Sequence, residues 1–275
     1  AAVSFKAGEI DVTGGIKALG QNVTITAGAG GTKINGLDFG IVTSGHGVTG
    51  PDGGDITIES GGEVLIGSKL RTGVSETLLT QNAGAIDIEV AGLNQNLIFD
   101  TGADGLYAMG GEAADPSGTG FAGGAITLTT NGGAIRFRSN SFDIQTLGGQ
   151  QASATPGTGG NITFDSAVSL EGNLLSANTG DGAGNVTFNG AVNSPNASIL
   201  ELSAGRGDVS IYGPVGQVNA LGRVGIYSAK DIVIGGSLAN PFKAAYFMNT
   251  LPLGSPVGFA SDSFTLNGEL TVTDG

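Results

Sequence analysis

The chain has no cysteine, and that absence removes a disulfide framework, a thiolate nucleophile and a thiolate-held iron–sulfur cluster. Proline is scarce, 8 in 275 residues. Glycine, at 52, never falls into a Gly-X-Y period, so a collagen-like helix is excluded. No apolar run approaches the ~18 residues of a membrane span. Histidine occurs once, at His46. Basic residues number 11 against 24 acidic ones, for a net charge of −13. That balance argues against nucleic acid and anionic membrane surfaces, both of which attract cations. The opening Ala1-Ala2-Val3, without Met or a signal peptide, reads as a mature product or an excised fragment.

What is abundant is one figure, Gly-x-apolar-x-apolar. It appears as Gly54-Asp55-Ile56-Thr57-Ile58 and returns from Gly84, Gly124, Gly160, Gly184 and Gly207, with an earlier copy from Gly8. Strict alternation over five residues is a strand signal. Recurrence at 20 to 50 residues signals a stacked array whose single units cannot bury their own apolar face. A second strand-like run follows most copies: Glu63–Ile66, Leu97–Phe99, Ile135–Phe137, Val168–Leu170 and Leu200–Leu202. Two or three short strands per repeat with tight turns make one coil of a parallel β-solenoid; an antiparallel β-sandwich is the alternative. In the solenoid, Ile56, Ile86, Ile126, Ile162, Val186 and Val209 stack inside, and Thr57, Thr127, Thr163 and Thr187 form an outward ladder. Nine to eleven coils at ~4.8 Å give a rod about 45–55 Å long. Residues 101–123 and 147–159 read as insertions that emerge as loops on one face.

Near Asn240 the texture changes. Pro241, Pro252 and Pro256 gather with Phe242, Tyr246, Phe247, Phe259 and Phe264, and Lys243–Met248 suits a helical turn. Two alternating stretches follow, Phe264–Leu266 and Leu270–Val272. Residues 1–239 therefore read as solenoid, and 240–275 as a segment that caps its C-terminal end or docks on a neighbouring subunit, because an open coil exposes both apolar core and unpaired strand edge.

Several short motifs carry possible chemistry. Asp100-Thr101-Gly102 resembles an aspartic protease loop, but that chemistry needs a second Asp to share a proton; a turn at a coil corner is the plainer reading. Gly45-His46-Gly47 resembles a polygalacturonase motif, without the clustered carboxylates that glycoside hydrolysis uses. Arg206-Gly207-Asp208 is an integrin-type tripeptide that coincides with the start of a repeat strand. Asn22, Asn161 and Asn185 open glycosylation sequons that the repeat itself generates. Thr179-Gly180-Asp181-Gly182 could hold a Ca²⁺ weakly. Thr-x-Thr rows are too sparse for an ice-binding face. No residue is assigned a catalytic, cofactor or metal role.

The figure Gly-Gly-(Asp/Asn)-Ile-Thr-Ile, as at Gly53–Ile58 and Gly159–Phe164, together with Leu170 and Leu174–Asn178, resembles large secreted bacterial exoproteins: the filamentous-haemagglutinin-like products of two-partner secretion and autotransporter passengers. The resemblance covers residues 50–235. It implies a right-handed parallel β-helix, a bacterial extracellular or cell-surface location, and a non-enzymatic role as an adhesin segment or a subunit of a filament, sheath or layer. Its partners would be its own subunits, up to a homopolymer, or host and cell-surface glycans or proteins. The alternative function is a polysaccharide-active β-helix enzyme, a lyase or glycosidase. Three or more carboxylates with Lys or Arg on one face would favour it.

Overall fold

A computed structural model describes the backbone apart from residues 1, 37–39, 46–51, 74–79, 113–117, 150–154, 236–241, 245–246, 250–262, 267–269 and 273–275. Among the described residues every regular element is a strand, and the strands stack in parallel, in register, as a parallel β-helix. The antiparallel sandwich is thereby excluded.

Each full coil has three faces. Face A carries the repeat: Ile56–Ser60, Ile86–Leu93, Ile126–Asn131, Ile162–Phe164, Val186–Phe188, Val209–Ile211 and Asp231–Ile234. Face B carries Val64–Ile66, Leu97–Phe99, Ala134–Phe137, Ala167–Leu170 and Val192–Asn193. Face C carries Ile41–Val42, Leu70–Arg71, Gly105–Tyr107, Ser141–Gln145, Leu174–Asn178, Ile199–Ser203 and Arg223–Ser228. In the first two coils the strands Val3–Val12 and Val23–Ile34 run unbroken through the corner, so faces A and B join there in one 15-stranded sheet. The described strands make ten coils, about 43 Å from the first to the last at the ~4.8 Å strand spacing.

The interior follows from period-two alternation. Val23, Ile56, Ile86, Ile126, Ile162, Val186, Val209 and Ile232 form one column, each fully buried and paired with the next. Each such side chain contributes about 1.5–3 kcal/mol by leaving water. Two aromatic stacks thicken the middle: the Phe99 and Phe137 rings lie 4.9 Å apart and nearly parallel, as do Phe164 and Phe188 at 4.2 Å. The outward ladder Thr57, Thr127, Thr163, Thr187 is present, interrupted by Asp87 between the first two.

Three expectations need correction. Residues 101–123 are not a single insertion, because Gly105–Tyr107 inside them is a face C strand; the loop starts after Tyr107. Leu200–Leu202 belongs to face C rather than to the second face, since its coil fills face B with the two-residue strand Val192–Asn193. Lys243–Met248 is not a helical turn: Phe242–Ala244 and Phe247–Asn249 are strands. Beyond residue 240, Phe247–Asn249 pairs with face C, Ser263–Leu266 with face A, and Leu270–Val272 with Phe242–Ala244.

All the long insertions leave from one corner, between the end of face C and the next copy of the repeat. The described ends of two of them pair with each other: Gly124 N–H donates to Ala108 O (2.9 Å), Gly160 N–H to Thr146 O (2.8 Å) and Gly157 N–H to Gly149 O (3.0 Å). Neighbouring loops also pair, through Gly123 N–H to Thr158 O and Gly110 N–H to Leu147 O, both 2.9 Å. The result is a flange of stacked backbone. A Cβ on Gly149 would sit 1.6 Å from Gly111 O, and one on Gly120 would sit 1.9 Å from Gly149 O, so these positions require glycine.

Candidate functional site: the polar strip on face C

Face C is the side on which long polar and aromatic side chains gather. In-register pairing aligns Arg71, Tyr107, Gln145, Asn178 and Ser203 in one outward row. Two positions back along each strand, the parallel row reads Gly105, Asp143, Ser176, Glu201, Gly225. The glycines at its ends have a reason. Tyr107 leans back along its strand over Gly105, where a Cβ would lie 2.7 Å from the ring's far end, and Tyr227 leans over Gly225 in the same way at 3.3 Å. A tyrosine therefore stands at each end of the row Asp143–Ser176–Glu201, four coils or about 19 Å apart along the rod.

Both tyrosines are held. The Arg71 guanidinium lies 5.5 Å from the centre of the Tyr107 ring, a cation–π contact, and the Tyr107 hydroxyl lies 3.5 Å from Asp104 O. Tyr227 donates to Glu201 Oε1 at 2.8 Å, and Arg223 donates to the same oxygen. Burial, followed by nearby carboxylates, raises both phenol pKa values. Burial also raises the Asp143 carboxyl, and Asp104 and Glu201 add to the shift. Lys69 pairs with Asp104 at 3.0 Å at the strip's margin. The strip thus combines three carboxylates, Asp104, Asp143 and Glu201, with three cations, Lys69, Arg71 and Arg223. Hydroxyl-rich chains suit it: the carboxylates, Ser176, Gln145 and Asn178 supply hydrogen bonds, and the tyrosines supply apolar contact area.

The motifs singled out in the sequence resolve into architecture where they are described. Asp100 sits at a coil corner, its carbonyl accepting from Ala103 N–H at 2.9 Å, with its own N–H on Ile66 O at 2.8 Å. Arg206-Gly207-Asp208 is the corner preceding a face A strand, and Asp208 N–H donates to Asn185 Oδ1 at 2.8 Å. The sequon asparagines form the same ladder: Asn22 Oδ1 accepts from Asp55 N–H (3.0 Å) and Asn161 Oδ1 from Asn185 N–H (2.9 Å). Thr179 is buried and closes a turn on Gly184 O at 2.8 Å. Of Gly45-His46-Gly47, the histidine and Gly47 lie outside the described residues. No group of three or more His, Cys, Asp or Glu among the described residues is placed to hold a metal ion, and none of their elements is a helix long and apolar enough to cross a membrane.

The strip was not foreseen in the sequence. Its usable signal is the doublet Gly105-Leu106-Tyr107 and Gly225-Ile226-Tyr227: an outward glycine, an inward aliphatic residue, an outward tyrosine. No protein-family model, curated protein or solved structure matches the chain.

Proposed function

We propose that the chain is an extracellular structural or adhesive β-solenoid of a bacterial surface, and that it makes lateral contacts with surface glycans through the face C strip. The supporting observation is the row Asp143–Ser176–Glu201 with a held tyrosine at each end, carried on a stiff in-register ladder. A rigid scaffold fixes the spacing of the contacts before a ligand arrives, so little ordering cost remains at binding. Charge balance within the strip favours a neutral polysaccharide over a polyanion.

The test is binding of the purified chain to immobilised polysaccharides, compared with Tyr107→Ala, Tyr227→Ala and Ser176→Lys. The expected result is capture by a neutral polysaccharide that each substitution weakens about tenfold or more while the melting temperature stays near that of the parent. Capture unaffected by all three substitutions would refute the strip as the site, and no capture by any polysaccharide would refute the adhesive reading.

A second reading, the polysaccharide-active enzyme, has its own support, since the strip meets the condition that favours it: three carboxylates, Asp104, Asp143 and Glu201, with Lys69, Arg71 and Arg223 on one face. Asp143 and Glu201 stand two coils apart, about 9.6 Å between their strands. Asp143 has a raised pKa, and Glu201 is held in charged hydrogen bonds. Inverting glycoside hydrolysis uses two carboxyls on either side of the scissile bond, one as acid and one as base. Release of reducing ends from a bound polysaccharide, abolished by Asp143→Asn and by Glu201→Gln, would favour this hydrolase over the adhesin.

A further inference from the structure

Face C carries a third outward row, two positions further back along each strand. In-register pairing aligns Ser141, Leu174, Ile199 and Arg223 in it. Their next neighbours along the chain, Phe142, Leu175, Leu200 and Val224, are the buried, inward residues. Leu174 and Ile199 therefore point away from the core, and both keep part of their surface open to solvent. Two aliphatic side chains stacked one coil apart, about 4.8 Å, make a short apolar step on a face that is otherwise polar. The step is bounded at both ends. Ser141 stands exposed at one, and at the other the Arg223 guanidinium donates to Glu201 Oε1.

The three rows divide the face into lanes that run along the rod, about 6.6 Å from one another across the strands. The middle lane reads Asp143, Ser176, Glu201, with Tyr107 leaning in at one end and Tyr227 at the other. Leu174 and Ile199 flank Ser176 and Glu201 on one side, and Asn178 and Ser203 flank them on the other. A ligand seated in the middle lane thus meets hydrocarbon along one edge and amide and hydroxyl groups along the other. The lanes advance by one side chain per coil, so a chain that fits them runs along the rod axis. An extended β-linked polysaccharide advances by close to one coil spacing per sugar.

The apolar step selects among neutral sugars. A hydroxyl set against Leu174 and Ile199 loses its water partners and gains none in return. An acetamido group fits better. Its methyl covers the two aliphatic side chains, while its N–H and C=O face the middle lane, where the Glu201 carboxylate accepts and the Ser176 hydroxyl donates. An ionised carboxylate has about four lone-pair sites, so Glu201 keeps acceptor capacity beyond its bonds from Tyr227 and Arg223.

We infer that the face C strip takes an N-acetylated neutral polysaccharide, lying along the rod with about one sugar per coil, and that Leu174 and Ile199 select the acetamido group. This inference rests on the glycan reading of face C and adds to it the substrate class and the direction of the bound chain.

The test is isothermal titration calorimetry of the full chain with chitotetraose and cellotetraose, which share length and linkage and differ in the acetamido groups. Chitotetraose should bind about tenfold tighter, the discrimination that a small apolar contact supplies. Leu174→Ser and Ile199→Ser should each bring the two affinities within about threefold of one another, weakening chitotetraose and leaving cellotetraose unchanged. Leu65→Ser, at an outward aliphatic position of face B, should preserve the preference. Chitobiose should bind more weakly than chitotetraose, because it spans only part of the distance between the two tyrosines. Equal affinity of the parent for the two tetramers overturns the inference and leaves face C as a neutral-glycan surface. A preference that survives both serine substitutions overturns the role of Leu174 and Ile199, and chitobiose binding as tightly as chitotetraose overturns the axial chain. Failure of both tetramers to bind overturns the inference whatever other polysaccharide is captured; the glycan reading falls with it only when no polysaccharide is captured at all.

Discussion

Thr72 Oγ1 donates a 2.5 Å hydrogen bond to the carbonyl of Gly84 across the neck of the loop that separates them. The same clasp joins Thr43 to Gly54, Thr146 to Gly160 at 2.6 Å and Thr179 to Gly184 at 2.8 Å. All four threonines are fully buried, and each glycine opens a copy of the repeat. One side chain thus fixes where a loop of any length rejoins the coil, which lets the loops vary without disturbing face A.

Thr146→Val keeps the volume and removes the donor. It should lower stability by about 1–3 kcal/mol, the cost of leaving a buried polar group unpaired. Thr146→Ser, which keeps the hydroxyl, should recover most of that. Thermal unfolding followed by circular dichroism measures both; equal loss in the two variants would mean the methyl group, not the clasp, carries the effect.

The flange makes a sharper demand. Gly149→Ala sets a methyl against Gly111 O, where the gap is 1.6 Å, so the loops 108–124 and 146–160 must separate. The expected loss is about 1–3 kcal/mol or more, typical of overpacking. Gly14→Ala is the control, since a Cβ there meets nothing within 4 Å. Amide exchange should rise at Gly110 and Gly157 in the first variant and stay unchanged in the second.

The stacked repeat was legible because burial and period two coincide on face A, where the first two inward positions of each copy from Val23 to Ile234 are Ile, Val, Leu or Phe. Face C was harder to read, since its strands shrink to Ile41–Val42 and Leu70–Arg71, too short to show a period. The strip on it depends on which residues register brings side by side, and Asp143 and Glu201 are far apart in sequence with nothing local to link them. The ladder asparagines failed as signals for the opposite reason: Gly-Asn looks like a turn or a sequon, whereas its side chain bonds to a backbone N–H one coil away.

In the interior column, Ile126 lies between Ile86 and Ile162 and is fully buried. Ile126→Ala should cost about 2–5 kcal/mol through lost burial and a cavity. Ile126→Asp should unfold or aggregate the chain, because the stack offers an ionised group no partner. A calorimetric scan unchanged by the Asp substitution would refute the column.

Two carboxyls should shift stability with pH in opposite directions. Glu171 is partly buried, which by itself raises its pKa, but hydrogen bonds and charge from Arg136 at 2.6 Å, with further bonds from Ser169 and Arg138, win and lower it below the ordinary 4.5. Its folded-state pKa is depressed, so its contribution is fully present above about 4.5 and is lost as pH falls through the folded value. Asp87 goes the other way. Burial, then Glu89, Glu59 and Asp165, raise it above the ordinary 3.8, so the folded chain holds that proton more tightly than the unfolded one. Stability therefore drops as pH climbs from 3.8 through the folded value, and a fixed penalty remains at neutral pH. Asp87→Asn should raise the melting temperature at pH 7 and leave it nearly unchanged at pH 3, where the parent is already protonated. Glu171→Gln should lower it at pH 7, with the difference narrowing toward pH 3. Both variants lie on the solenoid's sides and leave the interior column intact, so a pH-independent offset in either one would mean packing rather than charge is responsible.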